Sequence, residues 1–184
     1  TPGLKAVYPA FPYDAKGLLA TSIEDPNPVM FFEHKALYRS VRQEVPTDYY
    51  TLPLGKASLI REGNDITIVT YGAGVHWAIE TLDEMSSISA DLIDLRTLSP
   101  LDTETIYASV KKTNKVIILQ EDSMFGGLAS DISALISENC FEFLDAPIKR
   151  VASMETPVPF AANLEQQYLP KERFREELAS LAAY

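Results

Sequence analysis

The chain is poor in the residues that would place it outside an ordinary reducing compartment or inside a membrane. Its one cysteine, Cys140, excludes an internal disulfide and fits a reducing environment. No apolar run approaches the roughly 18 to 20 residues that cross a bilayer as a helix, so no membrane association is expected. Positive charge is scarce: 16 Lys and Arg stand against 26 Asp and Glu, for a net charge of −10. Phosphate binding needs clustered cations, and pairs such as Lys111-Lys112 and Lys149-Arg150 are isolated, so nucleic acid is an unexpected partner. There is no basic and apolar leader of the secretory kind, and the opening Thr1-Pro2-Gly3 reads as a cleavage or cloning boundary. No internal repeat or low-complexity tract breaks the pattern.

What is present is a rhythm of short apolar runs separated by amphipathic segments across 184 residues. That length suffices for one substantial domain with part of another. Leu4 to Pro9 reads as a strand ended by proline, Asp14 to Ile23 has helical spacing, and Val29 to Glu33 reads as a strand. This β-α-β unit is too small to own a core and should belong to a larger sheet. Residues 36 to 56, with Pro46 and Pro53 and few periodic apolar positions, read as a linker or an extended crossing segment.

From residue 57 onward the alternation sharpens. Strands are expected at 57–61, 65–71, 90–95, 115–119 and 148–152. Helices are expected at 75–85, 103–110, 128–136 and 171–183. Asp102 is the expected N-cap of the third helix in chain order, with Glu104 in its first turn. Strands alternating with helices argue an α/β domain with a mostly parallel sheet.

Few positions carry chemistry. The turn from Ser22 to Pro28 follows a helix end, whose last carbonyls lack intrahelical partners, and adds the oxygens of Asp25 and Asn27. Such an oxygen-rich nest suits a hard cation, and the same residues also make an ordinary Asx-turn. His34 sits between Glu33 and Lys35, but adjacent strand residues face opposite sides, so it reads as a surface or interface histidine. His76 has no neighbouring Ser, Cys or second His and reads as structural. Gly72-Ala73-Gly74 and Gly126-Gly127 each precede a helix. The first lacks the third glycine of a dinucleotide fingerprint, and both read as tight turns. Asp94 and Arg96, two residues apart at a strand end, are expected to share a face and fix their loop by hydrogen bonds and charge pairing. Cys140 reads as a buried, inert thiol.

Two blocks carry a family resemblance. One is Ile23-Glu24-Asp25-Pro26-Asn27-Pro28-Val29-Met30-Phe31-Phe32-Glu33-His34-Lys35-Ala36-Leu37-Tyr38-Arg39. The other is Ile93-Asp94-Leu95-Arg96-Thr97-Leu98-Ser99-Pro100-Leu101-Asp102. Together with Asp145 to Val151 and Thr156 to Pro159, they resemble the transketolase superfamily of thiamine-diphosphate enzymes. The match is nearest to the β subunit or β half of a 2-oxo acid dehydrogenase E1 component. Phe32-Glu33-His34-Lys35 with Leu37-Tyr38-Arg39 looks more like the branched-chain or acetoin type than the pyruvate type.

The resemblance implies a fold and a division of the chain. Residues 1–40 would be the β-α-β tail of a pyrimidine-binding domain and 41–56 a linker. Residues 57–184 would form a three-layer transketolase C-terminal-like domain. The parent would decarboxylate a branched-chain 2-oxo acid on thiamine diphosphate and magnesium, then pass the acyl group to a lipoyl-bearing E2. The catalytic histidine and the activating carboxylate would lie upstream, and the diphosphate–magnesium motif in an α subunit or α half. No catalytic or cofactor-binding residue is therefore expected here, and the isolated chain is expected to be inactive. Its roles would be subunit assembly, with the α partner and a second β copy, and docking of the E2 subunit-binding domain. The family's potassium site would map to Ser22, Ile23, Asp25 and Asn27, with Ser22 and Ile23 acting through backbone carbonyls. The expected location is the bacterial cytoplasm. Transketolase or deoxyxylulose-phosphate synthase is the rival within enzymes, and a stand-alone interaction module the rival outside them.

Overall fold

The computed structural model describes residues 2–184, so the boundary reading of Thr1 lies outside the described residues. The front unit forms as the alternation predicts. Strand β1 (Lys5–Val7) leads into helix α1 (Pro12–Glu24), and strand β2 (Val29–Phe31) returns parallel to β1. Pro12 suits the first turn of α1, because the missing N–H there has no intrahelical acceptor in any case. The helix stops at Asp25 because Pro26 has no N–H to extend the ladder. β2 ends two residues earlier than expected, which leaves Phe32 and Glu33 outside the strand.

The segment expected as a linker or an extended crossing segment is a strap laid along α1. It opens with a four-residue helix, α2 (Leu37–Ser40), too short to show a period in sequence. Beyond it the Leu52 N–H donates to the Gly17 carbonyl (3.2 Å), and the Thr21 hydroxyl donates to the Leu52 carbonyl (2.6 Å). Tyr50 stacks on Tyr13 at 4.7 Å. Gly17 allows the approach: a Cβ there would lie 2.7 Å from Tyr50 and Leu52 side-chain atoms.

The remainder is a sheet between two layers of helices. Strand β3 (Ser58–Arg61) is followed by β4 (Ile66–Thr70), helix α3 (Ala73–Glu84), β5 (Ala90–Asp94), the short β6 (Thr97–Ser99) and helix α4 (Thr103–Thr113). Then come β7 (Val116–Ser123), α5 (Leu128–Cys140), a 3-10 turn at Phe141–Phe143, β8 (Lys149–Ser153), α6 (Ala162–Tyr168) and α7 (Lys171–Ala182). The strand order is β3-β5-β4-β7-β8, parallel except for the edge strand β3.

Side-chain alternation assigns the two faces. Ile66, Ile68, Leu92, Ile117 and Leu119 pack with Trp77, Ala78 and Leu82 of α3 and with Phe174, Leu178 and Leu181 of α7. Val69, Ile93, Val116 and Ile118 pack with Ile106 and Val110 of α4 and with Ile132, Ile136 and Cys140 of α5. The helical partners recur every three or four residues, the spacing of a single buried stripe. Each fully buried Leu or Ile contributes about 1.5–3 kcal/mol, so both helical layers are held by the sheet. Asp102 caps α4 as predicted, accepting from the Thr105 N–H (3.3 Å) and hydroxyl (2.8 Å).

Three features were not visible in sequence. β6 pairs antiparallel with β1, so the front strands gain one strand from the back of the chain instead of joining the five-stranded sheet. β7 runs through Gln120, Glu121 and Asp122, whose polarity reads as loop. α6 is largely exposed and has no buried residue to set a period.

Candidate functional site at the meeting of the two sheets

Of the residues singled out in sequence, Asp94, Arg96 and His34 lie where β1, α1 and β2 meet the C-terminal ends of β4, β5 and β7. Arg96 is central. It adopts a left-handed φ of 53° immediately after β5, a conformation uncommon for residues with a Cβ. That turn breaks the period of two, so Arg96 and Asp94 do not pair charge to charge as expected. Asp94 accepts instead from the Arg96 backbone N–H (3.1 Å). The guanidinium reaches across to Asp14 on α1 (3.1 Å) and donates to the carbonyls of Lys56 (3.0 and 3.1 Å) and Ala57 (3.1 Å). One side chain thus binds the front helix, the strap and the main sheet together.

Asp94 is fully buried, and burial pushes its carboxyl up to about 8, opposed by the Arg96 N–H. It is therefore a neutral acid near neutral pH. Its Oδ2 and the hydroxyls of Thr70 and Thr97 are buried without hydrogen-bond partners. A carboxyl whose folded pKa exceeds its unfolded value of about 3.9 takes up a proton on folding. Its contribution is fully present below the unfolded pKa and is lost as pH rises toward 8. Asp94→Asn, which keeps the neutral shape, is expected to flatten the fall in melting temperature between pH 5 and pH 8. An unchanged slope would refute the protonated assignment.

His34 is not a free surface histidine. Its Nε2 lies 2.9 Å from Oε2 of Glu121, a residue that the unexpected extension of β7 brings within reach. The hydrogen bond to Glu121 holds the imidazole above its ordinary pKa, against an opposing effect of burial. The pair contributes stability below the unfolded histidine pKa of about 6.5, and that contribution is lost as pH rises through the folded value. His34→Gln should therefore lower the melting temperature more at pH 6 than at pH 8.5. A constant difference would show that the charge plays no part.

His76 is structural, as predicted: its Nε2 meets the Ala10 carbonyl at 2.8 Å and its ring packs on Phe11. Gly127 caps α5, and a Cβ there would meet Gln120 Nε2 at 2.0 Å. Gln120 Oε1 accepts from the Ala129 N–H (2.7 Å), so a protein group already occupies that helix start. Gln120, fully buried, was hidden in a polar triplet. Cys140 is buried, which raises its thiol pKa.

At the turn after α1, Asp25 pairs with Lys5. The hydrogen bond from Lys5, ahead of those from Asn27, holds its carboxyl below the usual range. Its other oxygen accepts from the Asn27 backbone N–H (2.9 Å) and side chain (3.3 Å), closing an Asx-turn. The carbonyls of Ser22 and Ile23 receive no donor among the described residues: Pro26 has none, and Asn27 gives its own to Asp25. Among the described residues no three His, Cys, Asp or Glu side chains converge in a way that could hold a metal ion. No described helix is long and apolar enough to cross a membrane.

Comparison with known proteins agrees with this arrangement. The family described as transketolase, C-terminal domain, matches residues 55–173. Acetoin:2,6-dichlorophenolindophenol oxidoreductase subunit beta of Bacillus subtilis (strain 168) is 52% identical over 171 residues, covering 92% of this chain and 50% of the relative. The 2-oxoisovalerate dehydrogenase subunit beta of the same strain is 49% identical over 171 residues, covering 91% and 52%. Its pyruvate dehydrogenase E1 component subunit beta is 49% identical over 174 residues, covering 94% and 53%. The chain spans about half the length of these relatives. A solved structure described as a split gene transketolase, inactive beta4 tetramer, superposes with a TM-score of 0.78 over 99% of this chain and 58% of its own. At 24% identity that likeness speaks for the fold alone.

Proposed function

The chain belongs to the transketolase C-terminal domain family, and from this premise we infer that it is the C-terminal part of a β-type subunit of a 2-oxo acid dehydrogenase E1 component. The observation that carries this reading is identity near one half, over more than nine-tenths of the chain, to the beta subunits of a 2-oxoisovalerate dehydrogenase and a pyruvate dehydrogenase E1 component, with an acetoin oxidoreductase beta subunit at a similar level. The parent decarboxylates a 2-oxo acid with thiamine diphosphate and magnesium and works with an α partner, a second β copy and a lipoyl-bearing E2 in the cytoplasm. The branched-chain acid is the substrate favoured by Phe32-Glu33-His34-Lys35 with Leu37-Tyr38-Arg39. The three relatives differ in named activity at nearly equal identity, so this choice rests on that segment.

On this reading residues 1–40 complete a pyrimidine-binding domain, 41–56 link, and 57–184 serve assembly and E2 docking. Arg96 fits a positioning role, because it ties α1 to the sheet without touching a reacting group. The chain alone should neither turn over a 2-oxo acid nor bind thiamine diphosphate. Measurable cofactor binding by the isolated 184 residues would contradict that division of labour.

The turn from Ser22 to Asn27 is the proposed potassium site. Ser22 and Ile23 supply carbonyl oxygens that the helix leaves without donors, and Asp25 and Asn27 fix the turn around them. The Asp25 carboxylate, already held by Lys5, shapes the site more than it neutralises an ion. Potassium chloride should raise the melting temperature above that in choline chloride at equal ionic strength, and Asn27→Ala should abolish the difference. Identical melting in the two salts would remove potassium from the account.

A further inference from the structure

A cavity of about 420 Å³ opens where the two sheets meet, and only Glu121 of its lining has a role above, as the partner of His34. The rings of Tyr8, Phe32 and Tyr71 line it together with the carboxylates of Glu121, Asp122 and Glu165. Tyr8 lies 6.0 Å from Phe32 and 5.7 Å from Tyr71, centre to centre, so the rings form one continuous aromatic wall. No Lys or Arg lines the cavity. Glu121 has His34 as partner, whereas Asp122 and Glu165 have no basic partner among the described residues.

Aromatic faces and carboxylates share one preference, for a cation that is both flat and rich in donors. Ring faces attract cations through their quadrupole, and carboxylates accept paired N–H donors from a guanidinium in a fixed fork. A phosphate would be repelled by three negative charges, and a metal ion finds no convergent set of ligands among the described residues. The field is already felt by the wall: Tyr8 is pushed up to about 12, by burial first and then by Glu121. Tyr71 is raised by burial and then by Asp122. Val158 lines the cavity, and Phe160 and Leu164 farther along the same segment are exposed apolar side chains. Arginine is among the residues enriched at the energetic centres of contacts between proteins, where the surrounding contacts exclude water.

We propose that this cavity receives the guanidinium of an arginine carried by a protein partner, with the 158–164 segment covering the contact. The inference stands apart from the E1 reading, since it names a recognising chemistry and not a particular complex. Chain-wide acidity supports the same sign of partner, with a net charge of −10.

The test is a nitrogen-15 NMR titration of the 184-residue chain with Nα-acetyl-arginine amide at low salt. The uncharged Nα-acetyl-citrulline amide and choline serve as comparison probes. The expected result is saturable shifts at the amides of Glu121, Asp122 and Tyr168, with citrulline weaker by about tenfold. The conservative pair Asp122→Asn and Glu165→Gln should weaken the arginine probe by a similar factor. Their spectra away from the cavity should stay unchanged, which separates lost recognition from lost folding. Equal response to citrulline, shifts confined to other surfaces, or tighter binding of choline would overturn the proposal. Concentration-dependent shifts at the same amides without any probe would also overturn it, in favour of a second copy of the chain.

Discussion

Asp91→Ala should lower stability by about 3 kcal/mol, which for a chain of this size is a fall of roughly 10 °C in melting temperature. Asp91 is 1% exposed on β5, the strand between β3 and β4. Its Oδ1 accepts from the Gly63 N–H (2.9 Å) and from Lys112 Nζ (2.7 Å), and its Oδ2 accepts from the Ser109 hydroxyl (2.6 Å). Ser109 in turn lies 2.6 Å from the Thr67 hydroxyl, which also meets Thr113 at 2.7 Å. These groups form one buried polar chain between β4, β5 and α4. Removing its acceptor leaves the buried Gly63 N–H without a partner and takes the carboxylate from the Ser109 hydroxyl, and an unmade buried hydrogen bond costs more than a made one contributes. Lys112→Ala should cost under about 1 kcal/mol, because the lysine is partly exposed and its pairing is screened. Equal effects of the two substitutions, read by urea denaturation, would show that the ion pair, not the buried network, carries the energy.

Arg96→Ala should be of similar size, about 3 kcal/mol, with a different signature. Its guanidinium is the shared partner of the 7%-exposed Asp14 and of the Lys56 and Ala57 carbonyls. Loss of one member of a buried pair leaves the other charge without compensation. The damage should be local: amide hydrogen exchange across residues 12–24 and 50–57 should quicken, while α3 and α5 keep their protection. Arg96→Lys should not rescue it, since one ammonium cannot reproduce a planar fork that reaches three acceptors. A double-mutant cycle with Asp14→Ala should return a coupling of about 2 kcal/mol. Coupling near zero would mean that the strap carbonyls alone fix Arg96.

These two residues show how much of the molecule is legible in its sequence. Strands alternating with helices from residue 57 onward announced an α/β domain with a mostly parallel sheet. Asp102 announced a cap because its chemistry is local. The site is different in kind. Arg96 and Asp14 are separated by 82 residues, and His34 and Glu121 by 87. No local pattern links them. The left-handed φ of Arg96 falsified the strand-face reading of Asp94 and Arg96, as no glycine or asparagine marked that turn. β6 was missed because three residues after such a turn carry no period, and its partner β1 lies far back at the start of the chain. Glu121 was passed over for the same reason as Gln120: polar residues that finish a strand look like a loop until their partners are known.

The central claim is that this chain is the C-terminal part of an E1 β-type subunit whose chemistry is completed elsewhere. The most direct test is dye-linked decarboxylation by the full-length parent with its α partner, thiamine diphosphate, magnesium and potassium. The assay would be run on 2-oxoisovalerate and pyruvate beside the 184-residue chain. The account predicts turnover that prefers 2-oxoisovalerate and falls when potassium is replaced by choline, with no turnover by the chain alone. Silence of the parent on both acids, with ketol transfer between sugar phosphates in their place, would contradict it.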